Sequence, residues 1–215
     1  MSPIIYNIIT FSNTITAVIL FLRIFDIDRR YLSFAFLTWI ACGNDTLSYI
    51  LAIQGIFTIV NNNVYVLLES IVILLFFKNF KVIERNATFL LTVIFSMIVW
   101  MVETTYRGIN QFSVVFRIYY SLVTVILSIN FINRILTDEK RSIFKNASFL
   151  LCVAFILYFT LKALVNSFWI YGFTKSQSFL RGIQNIMMYT NLFVNIIYAL
   201  AALWIPKRQT SILQF

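Results

Sequence analysis

Seven apolar runs, separated by short charged or polar breaks, take up most of this chain: residues 4–25, 31–53, 63–77, 88–105, 113–133, 148–170 and 182–204. A hydrocarbon layer of roughly 30 Å is crossed by about 20 helical residues, and it offers no water to satisfy a broken backbone. Runs of this length therefore predict transmembrane α-helices, of which the third is the shortest. Sixty per cent of the 215 residues are hydrophobic and only 12% are charged, more apolar surface than a soluble core of this size could hide. The expected fold is an all-α integral membrane protein, a bundle of seven transmembrane helices forming one domain over residues 1–215. Prolines stand only at Pro3 and Pro206, so proline kinks no run, and Pro206 marks a stop after the last. No Lys or Arg precedes the first run and no small-residue cleavage signal follows it, which reads as a retained helix.

The breaks alternate in charge. Arg23, Arg29 and Arg30 lie in the first; Lys78, Lys81 and Arg85 in the third; Arg134, Lys140, Arg141 and Lys145 in the fifth; Lys207 and Arg208 after the last run. The other side holds only Arg107, Lys175 and Arg181, so twelve basic residues face three. Because Lys and Arg are retained in cytoplasmic loops, the N-terminus is expected outside and the C-terminus in the cytoplasm, in a cell (inner) membrane crossed several times. The same bias accounts for the net charge of +9 without a nucleic-acid partner.

Two short echoes accompany this pattern. Arg85-Asn86-Ala87-Thr88-Phe89-Leu90-Leu91 returns as Lys145-Asn146-Ala147-Ser148-Phe149-Leu150-Leu151, each at the start of a run where Ser or Thr can cap a helix. Arg107-Gly108-Ile109-Asn110 and Arg181-Gly182-Ile183-Gln184 read as two outer loops. Duplication and convergent boundary chemistry both explain matches this short.

Several chemistries are excluded at once. Histidine is absent and the two cysteines, Cys42 and Cys152, sit inside separate apolar runs, so neither a His/Cys zinc site nor a disulfide framework is expected. Five scattered glycines build no phosphate-binding loop, and a retinal Schiff base would need a lysine in the seventh run, where none stands. No cofactor or metal is expected.

Charges inside a hydrocarbon layer are costly and require partners or a wet cavity. Here they are few: Asp45 in the second run, Glu69 in the third, Glu103 in the fourth, Arg117 in the fifth and Lys162 in the sixth, with Asn191 and Asn195 in the seventh. Given alternating helix directions, the five charges fall in the outer half of the layer. Helical spacing extends them into stripes: Tyr120, Ser121, Thr124 and Ser128 follow Arg117; Tyr158, Lys162 and Asn166 recur every four residues; Gln184, Met188, Asn191, Asn195 and Tyr198 mark the seventh run, and Tyr6, Thr10 and Asn13 the first. Asp45, Glu69, Glu103, Arg117, Lys162, Asn191 and Asn195 are the candidate pocket. They form either a self-neutralising network, with Lys162 paired to Asp45 or Glu69 and Arg107 cancelling the residual charge, or a site for a small ligand from the outer side.

Three functions follow from this constellation. The first is a non-enzymatic receptor-like sensor or accessory subunit that binds a ligand or a partner and acts through another membrane protein, since only short loops and a nine-residue stretch after Pro206 face the cytoplasm. The second is a transporter of a small solute, disfavoured because no run is broken mid-membrane by Gly or Pro. The third is an intramembrane lipid-modifying enzyme using carboxylates such as Asp45 and Glu69, which lacks a histidine base or nucleophile motif.

Overall fold

The structure is a computed structural model that describes residue 9 and residues 11–138, 143–170 and 177–208. Among the described residues seven α-helices follow in order: α1 (Asn13–Leu22), α2 (Leu32–Ile53), α3 (Ile59–Asn79), α4 (Asn86–Arg107), α5 (Val114–Asp138), α6 (Ala147–Ile170) and α7 (Gln177–Trp204). No strand occurs among the described residues, and the six helices from α2 to α7 are long and apolar enough to cross a membrane. The ten residues of α1 are the described part of the first apolar run; Tyr6 and Thr10 lie outside the described residues. The molecule is an all-α, multi-pass membrane bundle.

The helices close into a ring. α1 packs on both α2 and α7, α2 on α3, α6 on α7, and α5 with α6 makes the most extensive pair, while α4 leans on α3 and α5 from outside. Lipid-facing positions carry large apolar side chains, as on α4, where Leu90, Leu91, Phe95 and Val102 are more than half exposed. In lipid this is the expected state of a helix surface, because acyl chains are as apolar as leucine.

The third helix is longer than its apolar run. Asn61, Asn62 and Asn63 look like a break, yet all three lie inside α3 because each amide finds a partner. Asn61 Nδ2 donates to Asn44 Oδ1 and Ser48 Oγ, both at 2.9 Å. Asn63, fully buried, donates to the carbonyls of Ile109 and Gln111 at 2.9 and 2.7 Å and accepts from the Ser113 amide at 3.2 Å, fixing the α4–α5 turn.

The basic loops share one end of the ring. Ile27 and Lys207 form an antiparallel bridge. The Arg23 guanidinium donates to the carbonyls of Ala202, Leu203 and Ile205 and so satisfies the frayed end of α7. Tyr31 stacks edge-on against Phe80 at 4.9 Å, and Arg134 reaches across to Glu84 and to the Lys81 carbonyl, each at 2.8 Å. The first, third and fifth loops and the segment after α7 therefore meet at one end, as six crossings from α2 to α7 require.

Of the two sequence echoes, the first opens both α4 and α6, whereas the second does not recur as two loops. Gly182 lies within α7, whereas Gly108, at φ +88°, ends α4 in a conformation that a side chain would strain. At the start of α6 it is Asn146 that caps, its Oδ1 accepting from the Phe149 amide at 3.2 Å, while the Ser148 hydroxyl is shared with Tyr31 at 2.6 Å. At the start of α4 the cap position falls one residue earlier in the echo, on Arg85, which makes no side-chain cap.

Candidate functional site: a charged cavity above an aromatic column

At the end of the ring away from the basic loops, a cavity of about 280 Å³ lies between α1, α2, α3, α5, α6 and α7. Glu69 of α3 and Lys162 of α6 are its anchor, each only 5% exposed. Lys162 Nζ donates to Glu69 Oε2 at 2.8 Å. The Tyr120 hydroxyl donates to the same oxygen at 2.5 Å, and Tyr65 donates to Oε1 at 3.1 Å. The ammonium also sits over the rings of Tyr120, Tyr158 and Phe159 at 5.0, 5.0 and 5.2 Å. Three donors and three ring faces compensate a charge pair that desolvation alone would make costly. Of the two acids open to Lys162, the structure pairs it with Glu69.

The other two charges of the cavity are less committed. Arg117, half-buried, donates from Nη2 to the Asn62 carbonyl at 3.3 Å and lies over the Phe112 ring at 5.4 Å. Among the described residues its Nε is buried without a hydrogen-bond partner, and no carboxylate comes within 4 Å of it. Asp45 of α2, also half-buried, has no Lys or Arg within 4 Å among the described residues. Asn191 and Asn195 line the wall contributed by α7. Asn195 is held by its bond to Ser12 Oγ at 2.7 Å, and its carbonyl accepts from Thr16 at 3.4 Å. Asn13 donates to the Thr38 carbonyl at 3.1 Å, while its Oδ1 is buried without a partner in the described residues. The cavity thus holds two carboxylates and two cations, one pair saturated and one pair available.

Glu103 stands apart from this group. Its two oxygens accept from the amides of Val115 and Phe116 at 2.9 and 2.7 Å, and Arg107 lies 3.8 Å away. It caps the first turn of α5 from a neighbouring helix, a role that depends on the α4–α5 turn and that run-by-run depth cannot reveal. Within the α5 stripe, Tyr120 binds Glu69, whereas Ser121, Thr124 and Ser128 are buried and return their hydroxyls to carbonyls four residues back, at 2.6 to 2.8 Å. Small residues satisfied in this way let helices approach closely. On α7 it is Met187 that meets the cavity, one position from the Met188 of the stripe.

Below the cavity the bundle is aromatic. Phe159 and Tyr198, in its floor, contact Phe155 at 6.1 and 5.9 Å. Phe155 meets Phe76 and Phe77 at 5.6 and 6.2 Å, and Phe76 continues to Phe80 and Phe131 at 4.9 and 6.4 Å. Most of these contacts are edge-to-face, the geometry favoured by ring quadrupoles. Phe76, Phe77 and Phe155 are fully buried, so the column is closely packed between the cavity and the basic end.

Compared with known protein families, with curated proteins and with solved structures, the chain finds no match. The functional reading accordingly rests on the chemistry of the cavity.

Proposed function

We propose that this protein is a non-enzymatic, receptor-like sensor or accessory subunit of a cell membrane, which takes a small polar ligand into the cavity from the outer side and acts through a partner membrane protein. The observation that carries this reading is the division of labour among the four charges. Glu69 and Lys162 satisfy each other, while Arg117 and Asp45 line the same cavity with no ion partner among the described residues. An uncommitted guanidinium and an uncommitted carboxylate suit a small zwitterion, whose acid would meet Arg117 and whose amine would meet Asp45. A cavity of 280 Å³ lies at the small end of ligand sites, in keeping with such a solute. The aromatic column supports binding over passage, because alternating access needs a wettable path on the far side of the site. The bias of basic residues puts the cavity on the outer face and the column toward the cytoplasm.

The test is cysteine accessibility in a variant carrying Cys42→Ser and Cys152→Ala. An impermeant methanethiosulfonate reagent added outside should modify Ala41→Cys and Asn62→Cys, both lining the cavity, whereas Lys78→Cys should react only from the cytoplasm. Leu74→Cys and Leu151→Cys, fully buried beside the column, should stay protected from both sides. Cytoplasmic labelling of these two that rises when common amino acids are added outside would refute the sensor reading and establish a transporter.

A further inference from the structure

A second and larger cavity, of about 790 Å³, opens at the basic end. Its rim carries Arg30, Lys81, Arg134 and Lys145, and its lining includes no acid. Two of the four are engaged from outside: Asp28 accepts from Arg30 at 2.6 Å, and Glu84 accepts from Arg134 at 2.8 Å. The Arg30 guanidinium holds the Asp28 carboxyl below its ordinary range. Lys81 and Lys145 have no carboxylate within 4 Å among the described residues, so the cavity keeps two uncompensated positive charges.

Three further features narrow the occupant. Asn146, Ala147 and Ser148, at the start of the 24-residue helix α6, also line the cavity, so the positive end of that helix faces the same space. Lys81 is held at φ +57°, a conformation that asparagine or glycine adopts more readily, and it is the only such non-glycine residue among those described. The remaining wall is largely apolar and aromatic, with Phe131 and Trp204 toward the basic ends of α5 and α7. A basic rim over an apolar wall at the basic end of the membrane-spanning bundle matches one molecule with an anionic head and apolar tails.

We propose that this cavity is a binding site for an anionic phospholipid, whose phosphodiester is held by Lys81, Lys145 and the first turn of α6 while its acyl chains run down past Phe131 and Trp204. The site is separate from the outer cavity and does not depend on what that cavity binds. Native mass spectrometry of the full chain in a neutral maltoside detergent tests it, with dioleoylphosphatidylglycerol, dioleoylphosphatidylcholine or inorganic phosphate added. Phosphatidylglycerol should bind about tenfold or more tightly than phosphatidylcholine, and the Lys81→Asn, Lys145→Gln double variant should lose that preference. Asparagine tolerates the backbone at position 81, and an unchanged lipid-free melting profile separates lost binding from lost folding. Lys145→Arg should keep the preference, as should Lys78→Gln, which removes a nearby charge outside the cavity. Equal binding of the two lipids would overturn the proposal. So would an equal loss in Lys78→Gln, or displacement of the lipid by millimolar inorganic phosphate or by a poly-glutamate peptide.

Discussion

Two ion pairs in this molecule have the same N–O separation, 2.8 Å, and opposite surroundings. In the Glu69–Lys162 pair both side chains are 6% exposed, and each Glu69 oxygen accepts from a tyrosine. In the Arg134–Glu84 pair, at the basic end, they are 44% and 69% exposed. Distance therefore says little about what either pair contributes. Burial decides it: removing one partner inside strands a charge with nothing to solvate it, whereas removing one at the surface hands it to water.

The largest effect is expected inside. Lys162→Met leaves Glu69 uncompensated and should cost about 3–5 kcal/mol, read from the unfolding midpoint in mild detergent with increasing SDS. Adding Glu69→Gln should recover much of the loss. A strictly additive cycle would mean that the two residues do not interact. The aromatic column comes next. Phe155→Ala removes the ring that joins the cavity floor to Phe76 and Phe77, at a cost of about 3 kcal/mol, and should make Leu151→Cys reactive from outside. Persistent protection at position 151 would show that the seal lies elsewhere. The smallest effect belongs to the surface pair, where an Arg134→Gln, Glu84→Gln cycle should give a coupling of about 0–1 kcal/mol that fades with added salt. A coupling as large as that of the buried pair would erase the contrast.

Hydropathy made the helices legible, and charge depth made most of the cavity so. Asp45, Glu69, Arg117, Lys162, Asn191 and Asn195 share one cavity because isolated charges in lipid have few places to go. What stayed hidden depended on partners far along the chain. Glu103 was indistinguishable from Glu69 by depth, since only the turn through Asn63 brings the Val115 and Phe116 amides to it. The asparagine run of α3 read as polar because its acceptors belong to α2 and the α4–α5 turn. The paired echoes show the converse. Near-identical heptads open α4 and α6, yet the first begins a peripheral helix with only Ser96 and Glu103 buried, and the second begins a helix that buries Leu151, Cys152, Phe155 and Lys162. Local sequence sets where a helix starts, and its neighbours set what it becomes.

The Arg23 clamp has a consequence for how the chain is made. α1 leaves the ribosome before α7, and the carbonyls that Arg23 satisfies, and the Asn195 that bonds Ser12 and Thr16, lie 179 to 183 residues downstream. At about 5–20 residues per second, α1 waits roughly ten to forty seconds in the bilayer with one of its two neighbours missing. Through that interval Ser12, Thr16 and Arg23 are polar groups without their α7 partners, open to a chaperone or a membrane protease. Arrival of α7 covers them together, so ring closure waits on the helix made after the other six.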